Sequence, residues 1–252
     1  SDLDSFIDYC KSELKTLKEK KGKAAVATNV RHVVGDVCSL SEVLNETMEG
    51  AKVGNFFEGK RVVTCVGNTI GIMPEDIGGV NVRAQCYSEM AKLAGPTGVA
   101  VIVYWNAKRF PDALKDFYGK HPELCGSLEG AEIRLPEADK EGCHAGMVTK
   151  SGYSTKWTTK KGVEKIFQAR PELEVLEITE IGNGKGVAVA FRSHGTGGGW
   201  ENFTPEQWYV AAHGPESFFK ELNVATCEFI LDAEKKYCTG DAEGPLSLTE
   251  VG

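Results

Sequence analysis

Val99–Trp105 reads VAVIVYW, an unbroken apolar run set between Gly95-Pro96-Thr97-Gly98 and Asn106. A strand with one wet face alternates polar and apolar side chains. A continuous run rich in β-branched residues therefore marks a central strand covered on both faces. Toward the N-terminus, Arg61–Val66 (RVVTCV) reads as a second buried strand, ended by Gly67-Asn68. Between the two, Val82–Leu93 places Val82, Cys86, Met90 and Leu93 on one face of a helix that the Gly95–Gly98 segment breaks. Strand, helix, strand in this order is the repeating unit of a parallel sheet.

The pattern continues outward on both sides. Asp4–Leu17 has helical spacing at Phe6, Ile7, Cys10, Leu14 and Leu17, with Ser5 or Asp4 as the cap. Asn29–Gly35 reads as a short strand ending at Gly35-Asp36, Leu40–Met48 as a helix, and Gly50–Lys60 and Ile77–Gly79 as loops. After the central strand, Arg109–Tyr118 reads as a helix, and Gly119–Gly142 as an insertion or lid. Met147–Lys156 reads as an extended segment, followed by a helix capped by Thr158-Thr159 and running to Ala169. Leu173–Ile181 and Gly186–Arg192 flank Gly182-Asn183-Gly184, the signature of a hairpin. A glycine-rich loop from His194 to Trp200 and a last helix from Glu216 to about Glu234 follow. The expected fold is α/β: a doubly wound, mostly parallel sheet with helices on both faces and a C-terminal antiparallel hairpin. It occupies residues 1–192, with 193–252 an extension carrying a helix.

The chain has 252 residues, 26% charged and 41% hydrophobic, with a net charge of −7. This balance is that of an ordinary globular protein. No strongly basic stripe is present, which argues against a sequence-independent grip on nucleic acid. No stretch of ~18 apolar residues occurs, so no membrane span is expected. The eight cysteines are scattered with no CxxC pair. They are expected to be free thiols in a reducing intracellular compartment, cytoplasm or organelle stroma, with no metal site.

The order of elements and several turns resemble the class I S-adenosylmethionine (SAM) methyltransferase fold, over about residues 1–192. The resemblance implies SAM as cofactor and assigns residues to it. An acid closing the second strand of such domains holds the ribose hydroxyls, and Asp2 or Asp4 stands at the matching place. An acid after the third strand meets the adenine amino group, which Asp36 would do, with Val37 or Cys38 supplying a backbone contact. The fourth strand's turn touches the methionine part, here Cys65-Val66-Gly67-Asn68-Thr69-Ile70-Gly71, where Gly67 would let the backbone approach closely and Asn68 would bring a donor and an acceptor. On the substrate side stand Tyr104, Trp105 and Asn106, with Tyr153 and Trp157 before the final helix. Asp36, Asn68 and Tyr104-Trp105-Asn106 share one physical feature independent of any family. All three lie at the carboxyl ends of expected strands, where open α/β sheets bind ligands. Taken singly, a strand-ending Asp or Asn also serves as a turn or cap, and such aromatics also serve as core.

The sequence departs from the family in lacking the first strand and its glycine-rich turn, which brings backbone N–H groups to the cofactor. Gly182–Gly186 and His194–Trp200 contain glycines but in the wrong context. The expectation is that this segment precedes Ser1 in the native protein. The alternatives are that another chain supplies it or that the domain has lost catalysis. Methyl transfer to a small or medium-sized substrate is the leading reading. A non-catalytic methyltransferase-like binding or assembly subunit is the other, with a protein partner docking on the aromatic-rich C-terminal extension. No side chain stands out as the general base, and His144 and His194 are the imidazoles to test. A nucleotide-dependent oxidoreductase is disfavoured by the closing hairpin and by the missing dinucleotide fingerprint.

Overall fold

The structure is a computed structural model that describes residues 62–95, 97–194 and 216–238, the side chains of 216–220 and 227 excepted. The expected elements before Arg61, most of the glycine-rich loop from His194, and the cofactor residues Asp2, Asp36 and Val37 lie outside the described residues.

In chain order, β1 (Val62–Cys65) leads through a tight turn into the one-turn helix α1 (Thr69–Ile72). The expected loop at Ile77–Gly79 is instead the turn of a small hairpin, β2 (Asp76–Ile77) and β3 (Val80–Asn81), closed by Gly78 and Gly79 at φ 61° and 85°. Helix α2 (Val82–Ala94) starts at Asn81, whose Oδ1 accepts the Ala84 N–H at 2.8 Å, and stops at Gly95 in the left-handed region, φ 67°. β4 (Val99–Trp105) follows, its first six residues buried. A 3-10 turn, Ala107–Arg109, then passes into α3 (Phe110–Ala113), which widens to a π-helical turn over Leu114–Tyr118. After the short α4 (Pro122–Cys125), the expected insertion and the extended segment after it prove to be an antiparallel meander. Its strands are β5 (Glu132–Arg134), β6 (His144–Val148) and β7 (Ser154–Thr158). Helix α5 (Lys160–Gln168) is capped by Thr159, whose Oγ1 accepts the Gly162 N–H at 3.2 Å. The hairpin of β8 (Leu173–Ile181) and β9 (Gly186–Ser193) and the long helix α6 (Glu216–Tyr237) complete the chain's described elements.

The main sheet has the order β1-β4-β9-β8. β1 and β4 pair in parallel, whereas β4–β9 and β8–β9 pair antiparallel. This corrects the expectation of a doubly wound, mostly parallel sheet, because most pairings among the described residues are antiparallel. The reason is where the hairpin inserts. β9 lies between β4 and β8, so one reversed strand converts two of the three contacts while β1, β4 and β8 still run the same way.

The alternation along β4 and β9 divides the core in two, as the pleat requires. Val99, Val101, Val103, Ala188 and Ala190 face Phe110, Phe117, Tyr118, Trp157 and the α6 residues Leu222, Phe229 and Ala233. Ala100, Ile102, Tyr104, Val187, Val189 and Phe191 face Cys86, Tyr87, Met90 and Ala91 of α2 and Val163 and Phe167 of α5. Helices thus cover both faces, which is why VAVIVYW carries no polar position. Complete burial of each such Val or Ile is worth about 1.5–3 kcal/mol.

Tyr104 belongs to this core and not to a substrate surface. It is 2% exposed, and its hydroxyl donates to that of Tyr87 at 3.0 Å. Burial drives its ionisation well above the ordinary phenol value, so it stays neutral. Tyr104→Phe removes one buried hydrogen bond and should lower unfolding free energy by about 0.5–1.5 kcal/mol, read from urea midpoints, with ligand affinity unchanged.

Candidate functional site

The carboxyl ends of β1 and β4 meet at the turn Val66-Gly67-Asn68-Thr69. Gly67 and Asn68 both have positive φ, 66° and 57°. The Thr69 N–H reaches the Val66 carbonyl at 3.3 Å, and the Thr69 hydroxyl donates to the same oxygen at 2.7 Å. Glycine adopts this conformation without steric cost, and asparagine tolerates it better than other chiral residues. The sequence puts those two residue types at those two places.

Asn68 is fully buried, and its amide is spent inside the protein. Oδ1 accepts the Trp105 N–H at 3.1 Å, at the end of β4. Nδ2 donates to the Thr155 hydroxyl at 3.2 Å and the Lys156 carbonyl at 3.3 Å, both on β7. β7 is the edge strand of the meander, so Asn68 satisfies a backbone carbonyl that no strand there pairs. The side chain expected to meet a ligand instead ties β1, β4 and the meander together. At Gly67 and Asn68 the backbone is what remains for a ligand. Gly71 belongs to the same junction. A Cβ at that position would run into the Lys156 carbonyl and the Asn68 amide, so the close approach of α1 to β7 depends on glycine. Gly71 falls within the turn that the sequence marks, and Thr155 does not. A glycine four residues after Gly67 was a visible hint, whereas nothing local marks Thr155.

Cys65, assigned to the cofactor, is partly exposed and packs against the core cluster that includes Cys86 of α2. Trp105 packs edge-on against Trp157, centroids 4.9 Å apart, and against Phe117 at 6.2 Å. Trp157 is 0% exposed, and its Nε1 donates to the Tyr118 hydroxyl at 3.3 Å. It is a core residue, which corrects the expectation that it lines the substrate side. Its strand alternates, and the residue sits on the face turned to β4 with Ala145 and Met147. Tyr153, half-buried, comes within 3.5 Å of the Tyr118 hydroxyl. Asn106 is fully buried, and its Oδ1 caps the following turn by accepting the Lys108 N–H at 3.2 Å. Its Nδ2 is buried with no acceptor. A buried amide donor left open in this way needs an outside oxygen or water to be satisfied.

The two imidazoles separate. His194 follows β9, whose Phe191 pairs with Ala100, and its N–H donates to the Glu172 carbonyl at 3.2 Å. Because β9 runs against β4, that is the opposite end of the sheet from Asn68 and Trp105. His144 opens β6, and its N–H donates to Asp139 Oδ2 at 2.8 Å. Its Nδ1 is buried and unpartnered. Burial, and then the charge of Lys156, hold its pKa below the ordinary value of 6.5. Lys156 in turn pairs with Glu75 at 3.3 Å. A histidine whose folded pKa is depressed binds fewer protons in the folded state than in the unfolded chain. Its contribution is therefore intact above pH 6.5 and lost as pH falls below it toward the folded pKa. Urea midpoints across pH 7.5 to 5 should drop less steeply for His144→Gln than for the parent chain; equal slopes would show that another group governs the fall.

Among the described residues, no group of three or more His, Cys, Asp or Glu could hold a metal ion, and no helix is long and apolar enough to cross a membrane. No family model and no curated protein matches the chain. Solved structures similar in part include the CcbJ methyltransferase of Streptomyces caelestis, 15% identical over 53% of this chain and 60% of that one, with a TM-score of 0.32. An S-adenosylmethionine-dependent methyltransferase of Clostridium acetobutylicum is 13% identical over 62% of this chain and 71% of that one, with a TM-score of 0.30. The chain thus spans 60% of the length of the first of them. At these values neither protein's activity transfers to this chain.

Proposed function

We propose that the chain is a SAM-dependent methyltransferase domain acting on a small or medium-sized molecule. The observation that carries this reading is the fastening of the Gly67-Asn68 turn to Trp105. It brings two parallel strand ends together at the place where open α/β sheets hold ligands. Two features support the reading, one on the cofactor side at Gly67 and one on the acceptor side at Asn106. Gly67, half-buried at φ 66°, leaves backbone open to close approach, and Asn106 offers a buried amide donor with no protein acceptor.

In this reading the backbone at Cys65, Gly67 and Asn68 holds the methionine part of SAM. Asp2 takes the ribose, and Asp36 with Val37 the adenine. Trp105, Asn106 and Tyr153 face the methyl acceptor, and Tyr104 and Trp157 support them from within the core. Bound SAM supplies a methyl group already activated by its sulfonium. The chain's own contribution is to hold the acceptor in line and keep water out, since the displacement gains mainly from proximity and alignment. His144, its imidazole kept neutral by burial, is the residue to test as acceptor of the substrate's proton.

Calorimetric titration of the native protein with SAM tests the reading. Saturable binding that Gly67→Val abolishes, with the fold retained by circular dichroism, is the expected result. Absence of any binding heat would remove the enzyme reading. The second reading, a non-catalytic binding or assembly subunit with a protein partner on residues 193–252, would then stand. What favours it is that the side chains of Asn68, Tyr104 and Trp157 are all consumed internally.

A further inference from the structure

The β8–β9 hairpin reverses over Gly182-Asn183-Gly184-Lys185, with the Lys185 N–H donating to the Gly182 carbonyl at 3.0 Å. Asn183 and Gly184 have φ of 54° and 74°, so this is a type I′ turn. The turn reaches two other elements. The Lys185 carbonyl accepts the Asn106 N–H at 2.8 Å, and the Asn183 carbonyl accepts from Arg109 Nη2 at 3.2 Å, both just beyond β4. Asn183 Nδ2 donates to Glu221 Oε2 of α6 at 3.0 Å, and Lys185 Nζ meets the same oxygen at 3.3 Å. Asn183 is exposed, and Asn183-Gly184 is the one Asn-Gly pair in the sequence. No side chain shields a glycine's backbone nitrogen. Among the described residues nothing accepts the Gly184 N–H.

We propose that Asn183-Gly184 is a site of deamidation by water, and that its conversion loosens α6 from the hairpin. The Gly184 nitrogen gives its proton to solvent and bonds to Asn183 Cγ. The Cγ–Nδ2 bond breaks, and ammonia leaves with a proton returned by solvent. A five-membered imide remains. Water then adds to one of its two carbonyls. Addition at Cγ breaks the new Cγ–N bond and leaves aspartate. Addition at the main-chain carbonyl breaks the original peptide bond and leaves an isoaspartyl link through the side chain. One water is consumed, and one ammonium ion is released. Aspartate sets a carboxylate against Glu221 where an amide had donated at 3.0 Å, and two like charges at that spacing repel. Isoaspartate adds a carbon to the main chain inside a turn whose length the Ile181–Gly186 pairing fixes.

The test needs neither SAM nor a methyl acceptor, so it stands apart from the methyltransferase reading. The native protein is held for days in heavy-oxygen water at mildly alkaline pH. Digestion follows in ordinary water, so that heavy oxygen marks only conversion of the intact chain. Mass spectrometry should find the Asn183 peptide with its amide nitrogen replaced by one heavy oxygen, eluting as two isomers. A synthetic peptide spanning Ile181–Val187, carried in parallel, checks the conditions. An unlabelled Asn183 in the protein while that peptide converts, or label at other asparagines alone, would overturn the proposal. Asn183→Asp, made directly, should unfold at a lower urea midpoint than the parent chain. Adding Glu221→Gln should recover part of the loss, because its amide can donate to the new carboxylate. A midpoint unmoved by Asn183→Asp, or a loss that Glu221→Gln leaves whole, would overturn the loosening of α6. The oxygen label in the wild-type chain is read even if a variant fails to fold.

Discussion

Asn68→Ala is expected to lower the unfolding free energy by about 3–5 kcal/mol, a large part of the 5–15 kcal/mol typical of a domain. The Trp105 N–H loses its acceptor, and the Thr155 hydroxyl and Lys156 carbonyl lose their donor, all at a residue with no exposed surface. A buried polar group left without its partner costs about 1–3 kcal/mol. Holding alanine in the left-handed region at φ 57° adds roughly 1–2 kcal/mol. Asn68→Gly separates the two contributions, because it relieves the backbone and leaves the lost hydrogen bonds. Urea unfolding of the three chains gives the answer. A glycine variant as stable as the parent would mean that the network at this junction contributes nothing, and the account of the site would fail with it.

The second large effect concerns Trp157. Trp157→Ala should cost about 3–5 kcal/mol, as removal of a large, fully buried aromatic does. The ring is packed among Trp105, Phe110 and Tyr118, with centroids 4.9, 5.4 and 6.3 Å away. Trp157→Phe keeps most of that packing but loses the hydrogen bond to the Tyr118 hydroxyl, and should cost about 1–2 kcal/mol. Tyr118 itself stays protonated, its pKa raised by burial. The measurement distinguishes a core role from a ligand-lining one. A core tryptophan shifts the unfolding midpoint, whereas a lining one would weaken binding at nearly constant stability. The second outcome would restore Trp157 to the substrate side and count against the packing described here.

The same two residues show what could be read along the chain and what could not. Periodicity and turn chemistry are local. An apolar run between glycines, an Asn before a helix and a Gly-Asn-Gly spacer each act through neighbours in sequence. β4, α2, α5 and the β8–β9 hairpin therefore lie where the spacing predicts them, and Gly67-Asn68 is the left-handed turn its residue types demand. The meander was blurred because β5 has only three residues, too few for alternation to register. Beyond that hairpin, the order of the sheet was not legible. Nothing in Gly186–Ser193 says that it will enter between β4 and β8, since that depends on which edge is free when the hairpin docks.

The run VAVIVYW by itself determined that a strand would be buried on both faces, and the residue types at its ends determined the turns there. Only the tertiary structure decided what those end residues do. An asparagine amide meets a ligand or a protein group according to what lies within about 3 Å of it. For Asn68 those groups are Trp105, 37 residues away in sequence, and Thr155, 87 residues away. Distances of that kind leave no periodic trace in the chain, and for that reason Asn68, Tyr104 and Trp157 read as site residues in the sequence and stand as structural ones in the fold.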